Sequence, residues 1–213
     1  MDFDLGLPHI AGRFSSKKPE GAFLFEAERE HAIGFAEKRL TEFLTGRHCA
    51  REALKSLGVA ACDIPVGEGR QPVWPEGVCG SISHATGLAG AIVSGKDRHL
   101  SLGLDIERRR SVDATLWDHL FTDKDKSLLQ SATTDPDEQA TLFFSLKESF
   151  YKLQYPLTGR FLDFLEVSLV PNEEGYRAVW QDGIELPDKL HRHRLGHRFT
   201  EGHVVTYAVL ESP

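Results

Sequence analysis

The chain has 213 residues, 40% of them hydrophobic and 27% charged, with a formal net charge of −7. That is an ordinary globular profile, sufficient for one domain or two small halves, and too acidic for general nucleic-acid binding by phosphate neutralisation. Cys49, Cys62 and Cys79 are odd in number and lack CxxC spacing, which argues against a disulfide framework or a zinc site and suits a reducing cytoplasm. The opening Met1-Asp2-Phe3-Asp4 lacks the basic start of a signal peptide, and no apolar run nears the roughly 18 residues of a membrane span.

Residues 1–20, with Pro8, Lys17, Lys18 and Pro19, read as a surface arm. Residues 21–25 read as a short strand. Residues 26–43 read as an amphipathic helix with Ala32, Phe35, Ala36, Leu40 and Phe43 at its apolar positions, weakened by Gly34. Thr45 has the character of an N-cap, and Gly58 that of the residue just past a helix end. Between them Arg47 and Arg51 share a helix face in the first turns, where free N–H groups favour anions. They suit a phosphate clamp; the plain alternative is a solvated basic face with Glu52 as counter-charge.

Residues 65–80 are rich in glycine and proline and form a loop too long for mere connection, with Arg70 in a glycine-flanked turn. The loop leads into Ser81-Ile82-Ser83-His84, read as a strand end. Residues 87–94 are small and apolar, as in a buried strand. After a turn at 96–98 comes Gly103-Leu104-Asp105-Ile106-Glu107. In a strand, Leu102, Leu104 and Ile106 take one face and Gly103, Asp105 and Glu107 the other. Two carboxylates on one face repel unless a cation joins them, and Mg²⁺ is commonly held by one or two carboxylates plus substrate phosphates. On those residues alone a solvated acidic edge is the simpler reading. His84 and the Asp105 face are placed on neighbouring strands.

Residues 108–134 are polar with short helical stretches, and Arg108-Arg109-Arg110 reads as solvated. A helix then begins with Asp135 as N-cap, Pro136 at its first position and Glu138 in a capping box, ending by Tyr155 ahead of Pro156. Leu142, Phe143, Leu146, Phe150 and Leu153 form its apolar stripe. Thr141, Ser145, Glu148 and Lys152 form a polar stripe nearly opposite, flanked by Phe144 and Tyr151. Residues 161–169 and 176–180 read as strands. Residues 197–210 read as a hairpin turning at Glu201-Gly202, and His191-Arg192-His193-Arg194 as a basic surface loop.

Four segments, in order, resemble the 4′-phosphopantetheinyl transferases of the enterobactin-synthase and surfactin type, closest to the enterobactin-synthase subgroup. They are Gly46-Arg47-His48-Cys49-Ala50-Arg51, the block from Gly69-Arg70-Gln71-Pro72-Val73-Trp74-Pro75 to Gly80-Ser81-Ile82-Ser83-His84, Gly103-Leu104-Asp105-Ile106-Glu107, and Phe144-Ser145-Leu146-Lys147-Glu148-Ser149-Phe150-Tyr151-Lys152. The resemblance implies an α+β fold, a pseudo-dimer of two similar halves with the substrate cleft between them. The halves are expected at 1–102, on the nucleotide side, and 103–213, with the carboxylates and the catalytic helix.

It implies Mg²⁺, with Mn²⁺ as an alternative, on Asp105, Glu107 and Glu148. Coenzyme A would be held by Arg47, Arg51, Arg70, Ser83 and His84, with Lys147 and Lys152 beside the pyrophosphate. The implied reaction moves phosphopantetheine from coenzyme A to a serine of an acyl or peptidyl carrier protein and releases 3′,5′-ADP, with Glu148 as base and Lys152 as stabiliser of the leaving phosphate. A cytoplasmic monomer is expected, without nucleic-acid partners or a membrane span. A Mg²⁺-dependent phosphodiesterase and a non-catalytic coenzyme A-binding module are the alternatives.

Overall fold

The computed structural model describes residues 5–133, 135–173 and 175–213, so the first four residues of the expected arm lie outside the described residues. The N-terminal part contains β1 (Ala11–Ser15), α1 (Glu26–His31), α2 (Glu37–Ser56), β2 (Val78–Ala85) and β3 (Leu88–Gly95). Its strands form an antiparallel sheet in the order β1-β3-β2, with α2 packed on it. The second part begins with β4 (His99–Arg108), continues through the short helices α3 (Trp117–Leu120) and α4 (Asp123–Ser131) to α5 (Pro136–Thr158), and then the hairpin β5 (Val167–Asn172) and β6 (Gly175–Trp180). It closes with β7 (Arg194–Phe199) and β8 (His203–Glu211), which complete an antiparallel sheet of order β4-β8-β7 backed by α5.

The alternation read along β4 holds. Leu102, Leu104 and Ile106 are fully buried against Phe14, Leu88 and Ile92 of the first sheet, with Val205 and Val209 beside them. Gly103, on the opposite face, lets α5 lie against the strand, since a Cβ there would sit 1.9 Å from the Ser149 carbonyl oxygen. The close neighbour of this glycine is therefore a helix of the same chain. The two sheets share no backbone ladder. Ser81 Oγ accepts from the Leu104 N–H (2.9 Å), and Ser83 Oγ from the Ile106 N–H (3.2 Å), so serine hydroxyls join β2 to β4. β4 runs from His99 to Arg108, so residue 103 lies inside the strand.

Several local expectations change. Part of the expected arm is β1, paired along its length with β3. Residues 21–25 form no strand. The helix read at 26–43 is broken at Gly34, whose φ is +82°, and α2 then runs unbroken through Thr45. Thr45 donates to the Thr41 carbonyl (2.7 Å) instead of capping, and Gly46 lies against Ile82, where a Cβ would approach to 2.9 Å. Gly58 (φ +77°) follows the helix end as read.

The start of α5 is as read: Asp135 Oδ1 accepts from the Glu138 N–H (3.0 Å), and Pro136 opens the helix. Glu138, however, gives its carboxylate to Arg109 (2.7 and 2.8 Å) rather than closing a capping box. The helix passes Pro156 and stops at Gly159 (φ 64°); a proline so near the end costs only one backbone hydrogen bond. The strand read at 161–169 starts only at Val167, after a 3₁₀ turn at Phe164–Glu166. His193 is no surface residue: it is buried beside Phe150.

Candidate active site

The strand face bearing Asp105 and the polar stripe of α5 meet. Asp105 is 3% exposed. Its Oδ1 accepts from Lys152 Nζ (2.7 Å) and Ser83 Oγ (3.0 Å), and its Oδ2 from Ser145 Oγ (2.7 Å). Glu148 precedes Lys152 by one turn of α5 and lines the same cleft. Burial, with Asp105 adding to it, pushes the Glu107 carboxyl up to about 7. Burial also raises Glu148, against the pull of Lys152 and with the help of Asp105. For Lys152, burial opposes the charge, but Asp105 and Glu148 outweigh it and its pKa rises. The stripe is thus a sheltered charge cluster, not a solvated face.

Three carboxylates that repel one another, with one ammonium among them, make a hard-oxygen donor set of the kind Mg²⁺ takes. Among the described residues no three Asp, Glu, His or Cys side chains close on one point with ligand geometry. The donor chemistry of Asp105, Glu107 and Glu148 fits a divalent cation; Lys152 occupies one oxygen of the set.

A cleft of about 610 Å³ runs from Glu148 and Lys152 to the loop carrying Arg70 and Trp74. Tyr155 narrows it: a Cβ on Gly69 would lie 2.0 Å from the Tyr155 hydroxyl, so the tyrosine packs on bare backbone. A neighbouring pocket of about 390 Å³ shares Arg70, Pro72 and Ile82 with this cleft and adds Arg39, Arg47 and His84. The Arg47 guanidinium lies over Phe43 and that of Arg39 over Phe35, each 4.4 Å from the ring centroid. Burial draws Arg47 down to about 10, still well above neutrality. Burial lowers His84 despite Glu42, whose carboxylate is 3.4 Å from Nδ1. Arg39 went unread in the sequence. Its signal was the Arg39, Phe43, Arg47 spacing, which stacks all three along one side of α2. Tyr155 had no such signal, because nothing local links it to Gly69.

Three expected ligand residues are engaged elsewhere. Arg51 Nη1 donates to both oxygens of Glu28 (2.8 and 3.0 Å) and Nη2 to the Phe23 carbonyl. Neither it nor Arg47 lies in the first turns of α2, which starts at Glu37, so the anion-binding argument from a helix N-terminus applies to neither. Lys147 points away from Asp105. Its ammonium donates to Asp125 (2.7 Å) and to the carbonyls of Leu120 (2.9 Å) and Phe164 (2.8 Å), which uses all three protons. Ser83 is buried; it donates to Asp105 and accepts from Ile106 N–H and Lys152 (3.1 Å), leaving no capacity for a ligand. The structure brings together Asp105, Glu107, Glu148 and Lys152 on one side and Arg47, Arg70 and His84 on the other.

The sequence that builds this fold has counterparts in known proteins. Residues 27–94 match the 4′-phosphopantetheinyl transferase N-terminal domain, and residues 101–208 match the 4′-phosphopantetheinyl transferase superfamily. The chain belongs to the 4′-phosphopantetheinyl transferase superfamily.

Its relatives include 4′-phosphopantetheinyl transferase Npt of Nocardia iowensis, 36% identical over 71% of this chain and 68% of that protein. Svp of Streptomyces mobaraensis is 39% identical over 70% of this chain and 61% of its own length. Enterobactin synthase component D of Escherichia coli is 39% identical over 67% and 66%. For Svp and component D the match thus spans less than two thirds of the relative. Among solved structures, a holo-(acyl-carrier-protein) synthase from Bacillus anthracis in complex with CoA aligns over 55% of this chain and 99% of its own, with a TM-score of 0.41 and 15% identity. No helix among the described residues is long and apolar enough to cross a membrane.

Proposed function

We propose that this chain transfers the 4′-phosphopantetheine group of coenzyme A to a serine hydroxyl of an acyl or peptidyl carrier protein, releasing 3′,5′-ADP. The observation that carries the reading is the pairing of Lys152 with Asp105, beside Glu148, in a cleft that shares Arg70 with a basic, aromatic pocket. The reading takes the chain as a pseudo-dimer of halves 1–102 and 103–213 with coenzyme A between them. Two three-stranded antiparallel sheets, each backed by one long helix, support this, as does a cleft lined from both. One copy lines the whole cleft, so a monomer suffices. In this reading the chain works in a reducing cytoplasm.

In this reading Arg39, Arg47, Arg70 and His84 hold the phosphorylated nucleoside end, through charge-assisted hydrogen bonds and aromatic surface. Asp105, Glu107 and Glu148 hold Mg²⁺ or Mn²⁺, which supplies charge neutralisation on the pyrophosphate when bound. The carrier serine oxygen bonds to the β-phosphorus while its proton passes to Glu148, whose burial makes it a stronger base. The bond from that phosphorus to the bridging oxygen breaks, and Lys152, kept charged by Asp105 and Glu148, offsets the charge on departing 3′,5′-ADP.

Intact mass of a serine-bearing carrier protein, incubated with coenzyme A and Mg²⁺, tests the reading. A gain of one phosphopantetheine, lost in Asp105→Ala and with a chelator, is the expected result. Free phosphopantetheine without modified carrier identifies a phosphodiesterase and overturns it; coenzyme A binding without turnover identifies a binding module and overturns it too.

A further inference from the structure

Serine and threonine side chains inside a helix ordinarily donate to the carbonyl four residues back. In this chain Thr45 and Thr141 do so, to Thr41 and Asp137, each at 2.7 Å. Ser145 stands on the same face of α5 as Thr141 and sends its only proton to Asp105 Oδ2 instead. What holds it there is Thr206. In the pairing of β4 with β8, Thr206 is the residue directly opposite Asp105. Its Oγ1 lies 2.9 Å from Ser145 Oγ and donates to the Ser145 carbonyl oxygen (2.8 Å). Behind it, Ser149 Oγ is 2.6 Å from Thr206 Oγ1. Ser145, Ser149 and Thr206 are fully buried.

Each hydroxyl has one proton, which gives the row a direction. Thr206 shares its proton between the carbonyl and hydroxyl oxygens of Ser145, so Ser149 is the donor to Thr206, and Ser145 is the donor to Asp105. The row ends on the carboxylate oxygen that Lys152 and Ser83 do not touch. The strand itself has no need of the hydroxyl: Val204 fills the preceding buried position on the same face of β8.

We propose that Thr206 is a positioning residue for Asp105, acting through Ser145, and that the row of hydroxyls from Ser149 to Ser145 holds one orientation of that carboxylate for a divalent cation. The inference rests on the reading of Asp105 as a metal ligand under the proposed function. It ties the site to a strand 101 positions later in the chain, through a residue that never touches substrate.

The test measures Mn²⁺ binding to the full chain by electron paramagnetic resonance, together with turnover at saturating coenzyme A. Thr206→Val keeps the branched shape and removes the hydroxyl. It is expected to weaken Mn²⁺ binding about fivefold, the weight of one neutral hydrogen bond, and to lower turnover, with a fall in the thermal midpoint because the buried Ser149 hydroxyl loses its acceptor. Thr206→Ser restores both. The double variant Ser145→Ala with Thr206→Val is no worse than Ser145→Ala alone, because one acts through the other.

Wild-type Mn²⁺ affinity and turnover in Thr206→Val overturn the inference, as do losses that multiply in the double variant. Should Thr206→Val not fold, Ser145→Ala decides: unchanged Mn²⁺ binding there overturns it. A wild-type chain that binds no Mn²⁺ removes the metal reading itself, and the inference with it.

Discussion

Arg51 and Lys147 show how a charged side chain can be spent inside the protein. Glu28 is completely buried; besides Arg51 it accepts from the N–H groups of Phe25 (2.9 Å) and Ile64 (3.1 Å). This node fixes residues 23–28 and 62–64 around α2. Arg51→Met would take away the guanidinium hydrogen-bonded to that carboxylate and leave only Arg47, whose Nε is 3.8 Å away, a loss of about 3 kcal/mol. Urea unfolding should show it, and adding Glu28→Gln should recover part of it. A change confined to the Michaelis constant for coenzyme A would instead return Arg51 to the ligand.

His193 yields a second expectation at this scale. Its Nε2 accepts from the Ala178 N–H (3.1 Å) and its Nδ1 lies 2.6 Å from the Leu190 carbonyl, so the neutral ring fits with its proton on Nδ1. Burial lowers its pKa from 6.5 to about 4. Between those values the unfolded chain binds the proton and the folded one does not, so stability rises with pH through that window. The contribution is complete above about pH 6.5 and is lost progressively toward pH 4, on the order of 3 kcal/mol. Urea midpoints measured across this range should fall on acidification, with a shallower fall in His193→Gln.

At the scale of elements, α5 and β4 together carry the proposed site, and their closeness depends on Gly103. An alanine Cβ would meet backbone, the Ser149 carbonyl at 1.9 Å and the Leu153 nitrogen at 3.0 Å, and neither atom can turn aside. Gly103→Ala must move the helix off the strand, and with it Glu148 and Lys152 away from Asp105. A loss of at least about 3 kcal/mol is expected, at the upper end for overpacking, with transfer activity lost even where folded protein is recovered. Circular dichroism melts beside an activity assay check this; a Gly103→Ala enzyme of normal stability would mean that the helix sits farther from the strand. Lys147 serves the same unit from the other side, tying α5 to α4 through Asp125 and to the Phe164 turn.

Over the whole molecule, the two sheets meet through apolar packing and two serine hydroxyls rather than a shared ladder. Ser81 touches neither carboxylate nor lysine among its hydrogen bonds, so it isolates the structural part of this joint. Ser81→Ala strips the buried Leu104 N–H of its acceptor, at about 1–3 kcal/mol. Hydrogen exchange should quicken at the Leu104 amide, with the urea midpoint lowered. Unchanged exchange there would mean that the packing alone joins the halves.

What the sequence determined by itself is local and directional. Period two placed Asp105 and Glu107 opposite Leu104 and Ile106, period 3.6 placed Glu148 and Lys152 one turn apart, and Asp135-Pro136 marked the start of α5; all of these hold in the fold. Backbone geometry alone sets which way a side chain leaves its own element. The partner it meets is set by how elements pack. Arg51 and Arg47 look alike in sequence and both face Glu28, yet Arg51 is hydrogen-bonded to that carboxylate while Arg47 also lies over Phe43 in a pocket. Lys147 and Lys152 share a helix, yet their directions differ enough to send one to Asp125 and the other to Asp105. Thr206 carried no signal at all, because its role comes from standing across the ladder from Asp105, and a pairing between distant strands is decided only when both sheets and α5 close on one core.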